Sequence, residues 1–210
     1  MRKLFAAGAA IAAAIFNPTA ANAAEEPPHE VIASDGNIEV RQYKPQILAE
    51  VTVTGDMRRA GNSGFRPLAD FIFGNNTAKQ SIEMTAPVTR TPASRKIEMT
   101  APVTRTETSG GDWVVAFVMP EEWTMETLPA PNNPDITIRE VPGEMIAAIR
   151  FNGAGRESEH RKKQAELEAW LRAHDYVATG SARYAGYNAP WVPAPFKRNE
   201  VMIPVRPASQ

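Results

Sequence analysis

"IEVRQYKPQILAEVTVTG" covers residues 38–55, and "ITIREVPGEMIAAIRFNG" covers residues 136–153. The two stretches align without a gap at an offset of 98. Ile38 matches Ile136, Arg41 matches Arg139, Ala49 matches Ala147 and Gly55 matches Gly153. Four identities carry little alone; the apolar pattern carries more. Ile47, Ala49, Val51 and Val53 alternate with other residues, and Met145, Ala147, Ile149 and Phe151 alternate in the same register. A period of two marks strands with one buried face. Each stretch therefore reads as a hairpin of two strands, turning at Lys44-Pro45 or Pro142-Gly143.

A helix is expected after each hairpin. In the first half it is "SGFRPLADFIFG", residues 63–74, with Ser63 as cap, Phe65, Leu68 and Ile72 on one face and Gly74 at its end. Pro67 is placed in its first turn or so, where proline is tolerated. In the second half it is residues 156–175, with Leu167, Trp170, Leu171 and His174 on one stripe. His174 fits a helix C-terminus, and His160 falls in a charged first turn where solvation is expected. Two more strands follow each helix: the "IEMTAPV" region and "WVVAFVMP" in the first half, "ATGSARYAGY" and "EVMIPV" in the second. The plan is a β-β-α-β-β unit made twice. It predicts an α+β fold in which two units close into a distorted antiparallel β-barrel flanked by two helices. The half-units run over about 36–121 and 134–207 of one domain spanning 36–207.

A second repeat is exact. "IEMTAPVTRT" occurs at residues 82–91 and again at 97–106, separated by "PASRK". It reads as a tandem duplication of 15 residues that lengthened one hairpin. Its proline favours a sheet edge or a bulge, and two identical strands can exchange for one slot. Glu83 and Glu98 read as solvated strand residues rather than a catalytic pair. Met84 and Met99 read as core rather than soft ligands for copper or haem iron.

The N-terminus reads separately. Arg2 and Lys3, an apolar run over residues 4–16 and the small site Ala21-Asn22-Ala23 form the layout of a secretory signal peptide. The run falls short of the ~20 residues a membrane span needs. An exported, periplasmic chain is expected, with residues 24–35 as a mobile leader. Without the signal there are 21 basic and 24 acidic residues, which makes no electrostatic case for nucleic acid or an anionic membrane. The chain has no cysteine, which excludes disulfides, lipoprotein anchoring and covalent haem attachment.

The motifs "FIFGNN", "IEMTAPV", "WVVAFVMP", "METLPAPNNPDITIREVPGE" and "YNAPWVPAPFKRNEVMIPV" together resemble the SOUL, or haem-binding-protein, family. The resemblance runs from Ile38 to Val205; the doubled "IEMTAPV" departs from the family's single copy. It implies a duplicated unit forming a distorted barrel with two helices. It also implies reversible, non-covalent binding of haem or another tetrapyrrole, without an enzymatic reaction. The implied site follows the first helix and the loop "NAPWVPAPFKR". Met57, Phe65, Leu68, Phe71, Ile72 and Trp191 are the candidate walls. Arg58, Arg59, Arg66, Lys197 and Arg198 are the candidate partners of the propionates. The ordinary reading of Phe65, Leu68 and Ile72 is a core stripe. No axial ligand is named: His29 lies in the leader, and His160 and His174 are about 21 Å apart along a helix.

Three alternatives stand beside this reading. One is a small-molecule or partner-binding module with an unknown ligand, because the duplicated fold also resembles the ligand-sensing domains of GyrI-like regulators. Another is a hydrolytic enzyme using Tyr184, Tyr187 and Glu200, for which no activating partner can be named. The last is homodimerisation by edge pairing of the repeated hairpin.

Overall fold

A computed structural model describes residues 26–78, 94–189 and 191–209. The expected signal peptide and the first copy of the exact repeat lie outside these residues. Strands β1 (His29–Asp35), β2 (Ile38–Tyr43) and β3 (Gln46–Val53) lead into helix α1 (Met57–Ile72). Then come β4 (Asn76–Thr77), β5 (Val103–Glu107), β6 (Trp113–Val118) and β7 (Ala130–Pro131). The second half runs β8 (Thr137–Val141), β9 (Met145–Asn152), α2 (Glu157–Ala173), β10 (Tyr176–Ala178), β11 (Arg183–Gly186) and β12 (Arg198–Pro207). One antiparallel sheet is ordered β1-β2-β9-β12-β11-β5-β6-β3-β8, with β10 beside β12. The α+β class and the duplicated plan hold. The sheet does not close, so a barrel describes it only approximately.

The predicted hairpins do not form. β2 pairs with β9, and β3 with β8, so each half gives its first strand to the other half's second. The 98-residue repeat is visible in this exchange. Glu39 faces Ala148, and the residues 98 positions away from each, Thr137 and Glu50, face one another. Two-residue hairpin turns need positive φ, and Lys44-Pro45 cannot supply it because the proline ring fixes φ near −65°. The two bends instead meet each other. Tyr43 N–H donates to the Glu144 carbonyl at 2.9 Å, and a Cβ on Gly143 would lie 2.7 Å from the Tyr43 carbonyl oxygen. Glycine at 143 is what lets the bends touch.

The strands that pair with β3 and β9 on their other sides, β6 and β12, carry the trace of the tandem duplication. Ala49 faces Phe117, and its counterpart Ala147 faces Ile203. Phe117 and Ile203 are 86 positions apart rather than 98, so the first half is the longer one by nearly the length of a repeat copy. The second copy supplies Ile97, fully buried, and then β5. Contrary to expectation, β5 is interior, between β6 and β11. Pro102 is tolerated because it precedes the first residue of the strand. Met99 packs on the core and Glu98 is exposed beside Lys96, as expected.

Two corrections concern boundaries. His29–Asp35, read as leader, is the sheet's outermost strand and pairs with β2. Helix α1 starts at Met57, earlier than Ser63, because the Asp56 carboxylate accepts the Arg59 N–H at 2.8 Å. Pro67 therefore lies inside the helix. Leu68, Phe71 and Ile72 of α1 bury against β3 and β6, while Leu167 and Leu171 of α2 bury against β9 and β12. Both helices cover one face of the sheet. On the other face Tyr43, Ile146, Ala148, Ala185 and Met202 form a smaller cluster.

Candidate functional site

A cleft of about 780 Å³ opens where the first turns of α1 and α2 approach over the ends of β5, β11 and β12. Its size falls within the range of small-molecule sites, ~300–1,000 Å³. Met57, Phe65 and Val103 give it apolar walls, and the cations Arg58, Arg66, Arg105, Arg156 and Lys197 outnumber the carboxylates Asp56 and Glu157 in its lining. Two glycines shape it. A Cβ on Gly61 would fall 3.3 Å from Cδ and Nη1 of Arg105. Gly155 has φ of +66°, and a Cβ there would meet Asn199 Oδ1 at 2.6 Å.

The structure sorts the predicted site residues into three groups. Met57, Arg58, Phe65, Arg66 and Lys197 line the cleft together. Leu68, Phe71 and Ile72 do not; they are core, facing the sheet. Arg59 points to solvent beside Asp56, Trp191 is 83% exposed, and Arg198 is held in an ion network. Sequence reasoning misses Arg105 and Arg156. A single arginine in an alternating strand gives no sign of how deep it sits.

His160, expected to be solvated, is fully buried instead. Its Nδ1 lies 3.2 Å from the Arg156 carbonyl, while its Nε2 has no hydrogen-bond partner among the described residues. The ring packs edge-on against Phe151 and Tyr184. Burial, and then the charge of Arg105, push its pKa down to about 4, so the imidazole is neutral at pH 7. His160 sits directly behind the cleft wall, since a Cβ on Gly155 would lie 3.3 Å from its Cε1. The other two histidines are engaged elsewhere. His29 packs on Tyr43, and His174 caps α2, with Nδ1 2.8 Å from the Trp170 carbonyl. Among the described residues no three His, Asp or Glu side chains cluster as a metal site.

The residues considered for hydrolysis do not form one group. Tyr184 lies on the helix side, bonded to Arg161 and Gln164. Tyr187 donates to Glu200 at 2.6 Å. Glu200 is fully buried, and both oxygens are taken. Arg41 Nη1 and Nη2 donate to it at 2.8 and 3.1 Å, and Arg198 Nη2 at 2.8 Å. Burial pushes the Glu200 pKa up, but the bonds and charges of Arg41, Tyr187 and Arg198 outweigh it and hold the carboxyl below its usual range. A carboxylate so saturated has no lone pair left for a substrate proton. Its role here is to tie β2 to β12.

Comparison with known proteins agrees with this architecture. The family model described as SOUL heme-binding protein matches residues 24–204. Human "Heme-binding protein 2" is 28% identical over 193 residues, covering 88% of this chain and 87% of the human protein. Among solved structures, the EcmrR C-terminal domain superposes with a TM-score of 0.56 at 14% identity, covering 81% of this chain and 97% of that one. A hydrolase from Listeria innocua superposes with a TM-score of 0.54 at 14% identity, covering 83% and 94%. At such identities these two structures speak for the fold alone. The family match spans most of the sequence and agrees with the duplicated topology: the chain belongs to the SOUL heme-binding protein family.

Proposed function

We propose that this protein binds haem or a related tetrapyrrole, reversibly and without covalent attachment, in the cleft between α1 and α2. The observation that carries the reading is the pairing of apolar walls with an excess of cations in one cleft of about 780 Å³. A tetrapyrrole presents a flat apolar ring and two carboxylates, and this cleft offers a complement to each. The family and the human relative support haem or tetrapyrrole binding at the level of the family. Haem is cargo in this reading, and its iron chemistry enters no step of the protein. His160 Nε2 lacks a hydrogen-bond partner among the described residues, but the ring is fully buried behind Gly155 and does not line the cleft, so no axial ligand is named. The ligand is met after export, with the chain processed before Ala24.

The test is a titration of the chain from Ala24 onward with haemin and, in parallel, with protoporphyrin IX, followed by difference absorbance. Saturable one-to-one binding of both is expected, because the contacts are apolar and ionic. Binding of haemin alone would make iron ligation the main source of affinity. Binding of neither would overturn the reading and leave a module of the same fold with another ligand. A periplasmic protein with Ala24 as its first residue is the expected outcome for localisation; an unprocessed cytosolic chain would overturn that part.

A further inference from the structure

Among the described residues, Arg105 is the cleft cation that is drawn in from solvent and has no side-chain partner. Arg58, Arg66 and Arg156 also line the cleft, but they are exposed to water. Arg105 is half-buried, on β5 in the middle of the sheet. Burial alone moves its pKa, and in the direction that opposes the charge. The other arginines drawn in from solvent have carboxylates: Arg41 and Arg198 share Glu200, and Arg183 grips Glu144. The Arg105 side chain makes no hydrogen bond or ion pair among the described residues. Its field adds to burial in keeping the neighbouring His160 neutral.

A guanidinium drawn out of water and left unpaired destabilises the fold that holds it. Such a group in a cleft marks a binding function more often than a structural one. The helix above is shaped to leave it room, because Gly61 has no Cβ where the guanidinium passes. We infer that Arg105 is the recessed anchor for a carboxylate of the bound ligand. It takes one carboxylate in the bidentate fashion that a guanidinium favours, while Arg66 at the mouth is a screened surface charge. This rests on the tetrapyrrole reading and sharpens it: the ligand must carry a free propionate at the end that enters first. It also gives the exact repeat a role, since Arg105 is the only cation of the "IEMTAPVTRT" copy that builds β5.

The experiment compares protoporphyrin IX with its dimethyl ester, in the wild-type chain, Arg105→Met and Arg66→Gln, by fluorescence titration. Wild type is expected to bind the free acid about 10–100-fold more tightly than the ester, the range of one charge-assisted pair. Arg105→Met is expected to bind acid and ester alike, both near the wild-type affinity for the ester. Arg66→Gln should keep most of the preference for the acid. The thermal midpoint of Arg105→Met should equal or exceed that of wild type, because an unpaired recessed charge has been removed. The inference is overturned if Arg105→Met keeps the preference for the acid, or loses acid and ester by the same factor. Equal binding of acid and ester by wild type would overturn the anchor and leave the tetrapyrrole reading standing. No binding of either would overturn both.

Discussion

Gly64 of α1 lies so close to Val115 of β6 that a Cβ on the glycine would fall 2.6 Å from the valine Cβ. The helix therefore rests on the sheet at a point where no side chain fits. Gly64→Ala forces the helix away from β6, and overpacking of this kind costs about 1–3 kcal/mol. The gain in helix propensity, at most ~1 kcal/mol, offsets part of that. Urea unfolding should show a net loss in Gly64→Ala. Adding Val115→Ala should recover part of it, so the double variant is more stable than the two single effects summed. Simple additivity would mean that the contact is not what limits the site.

The Arg41–Glu200 pair makes a second prediction. Both side chains are buried, and the pair ties β2 to β12 across β9. Glu200→Gln leaves the buried Arg41 with Glu39 as its remaining carboxylate, so the cost should fall below the about 3–5 kcal/mol of a buried pair broken outright. The folded-state pKa of Glu200 is depressed, so its contribution is present above the ordinary carboxylate range and is lost as pH falls through the folded value. The stability gap between wild type and Glu200→Gln should therefore be full at pH 7 and shrink in acid. Porphyrin affinity should survive the substitution, because Glu200 does not line the cleft. Loss of binding with unchanged stability would contradict the structural role assigned here.

The duplicated plan was legible in the sequence because alternation with period two survives in both halves. The exchange of strands between halves was not, because Ile47, Ala49 and Val51 bury the same face whichever strand lies beside them. The signal that was available is the turn: Lys44-Pro45 cannot make a tight hairpin. Asp56 likewise announced the helix start, but Gly61, Asn62, Ser63 and Gly64 make "GNSG" look like a loop. Their cost is borne because Gly61 and Gly64 allow close approach to Arg105 and Val115. In the site, the apolar stripe Leu68, Phe71 and Ile72 proved to be core, which is the ordinary fate of such a stripe. Arg105 and His160 needed the tertiary structure, since depth in a cleft leaves no mark on local pattern.

His160 supplies a pH prediction. Its ring is faced by Arg105 of β5, Glu159 and the Arg156 carbonyl of the α2 start, Tyr184 of β11 and Phe151 of β9. With a folded pKa of about 4 against an ordinary 6.5, the unfolded chain takes up a proton first as pH falls. Folding stability should therefore decline between pH 6.5 and 4, by about 3 kcal/mol at most from this group. His160→Phe removes the titration while keeping an aromatic ring against Phe151 and Tyr184. Its acid decline should be shallower by that amount over the same window. In Arg105→Met the imidazole should titrate at higher pH, which its ring carbon–proton NMR signals would report. Parallel pH profiles for wild type and His160→Phe would show that the imidazole is not kept neutral by the fold.

The tandem repeat yields the last prediction. Ile97 of the second copy is fully buried, and its N–H donates to the Ile72 carbonyl at 2.8 Å. Deleting residues 83–97 places Ile82 directly before Glu98, so the same ten-residue sequence still reaches β5. The lost contacts include the exposed Lys96–Glu98 ion pair, the Arg95 guanidinium over Trp123, and the Arg95 backbone, which pairs with the Asn76 side chain at 2.9 and 2.7 Å. Gln80 would come to that position and offers the same backbone groups. A shorter connection also closes a smaller loop at slightly lower entropic cost. The deleted chain should therefore melt cooperatively within a few degrees of wild type and bind porphyrin with similar affinity. Because β5 is interior, the deletion should not alter self-association through the second copy. A concentration-dependent mass in the full chain that vanishes on deletion would instead assign edge pairing to the first copy. Loss of the cooperative melt would mean that the added length has become part of the fold.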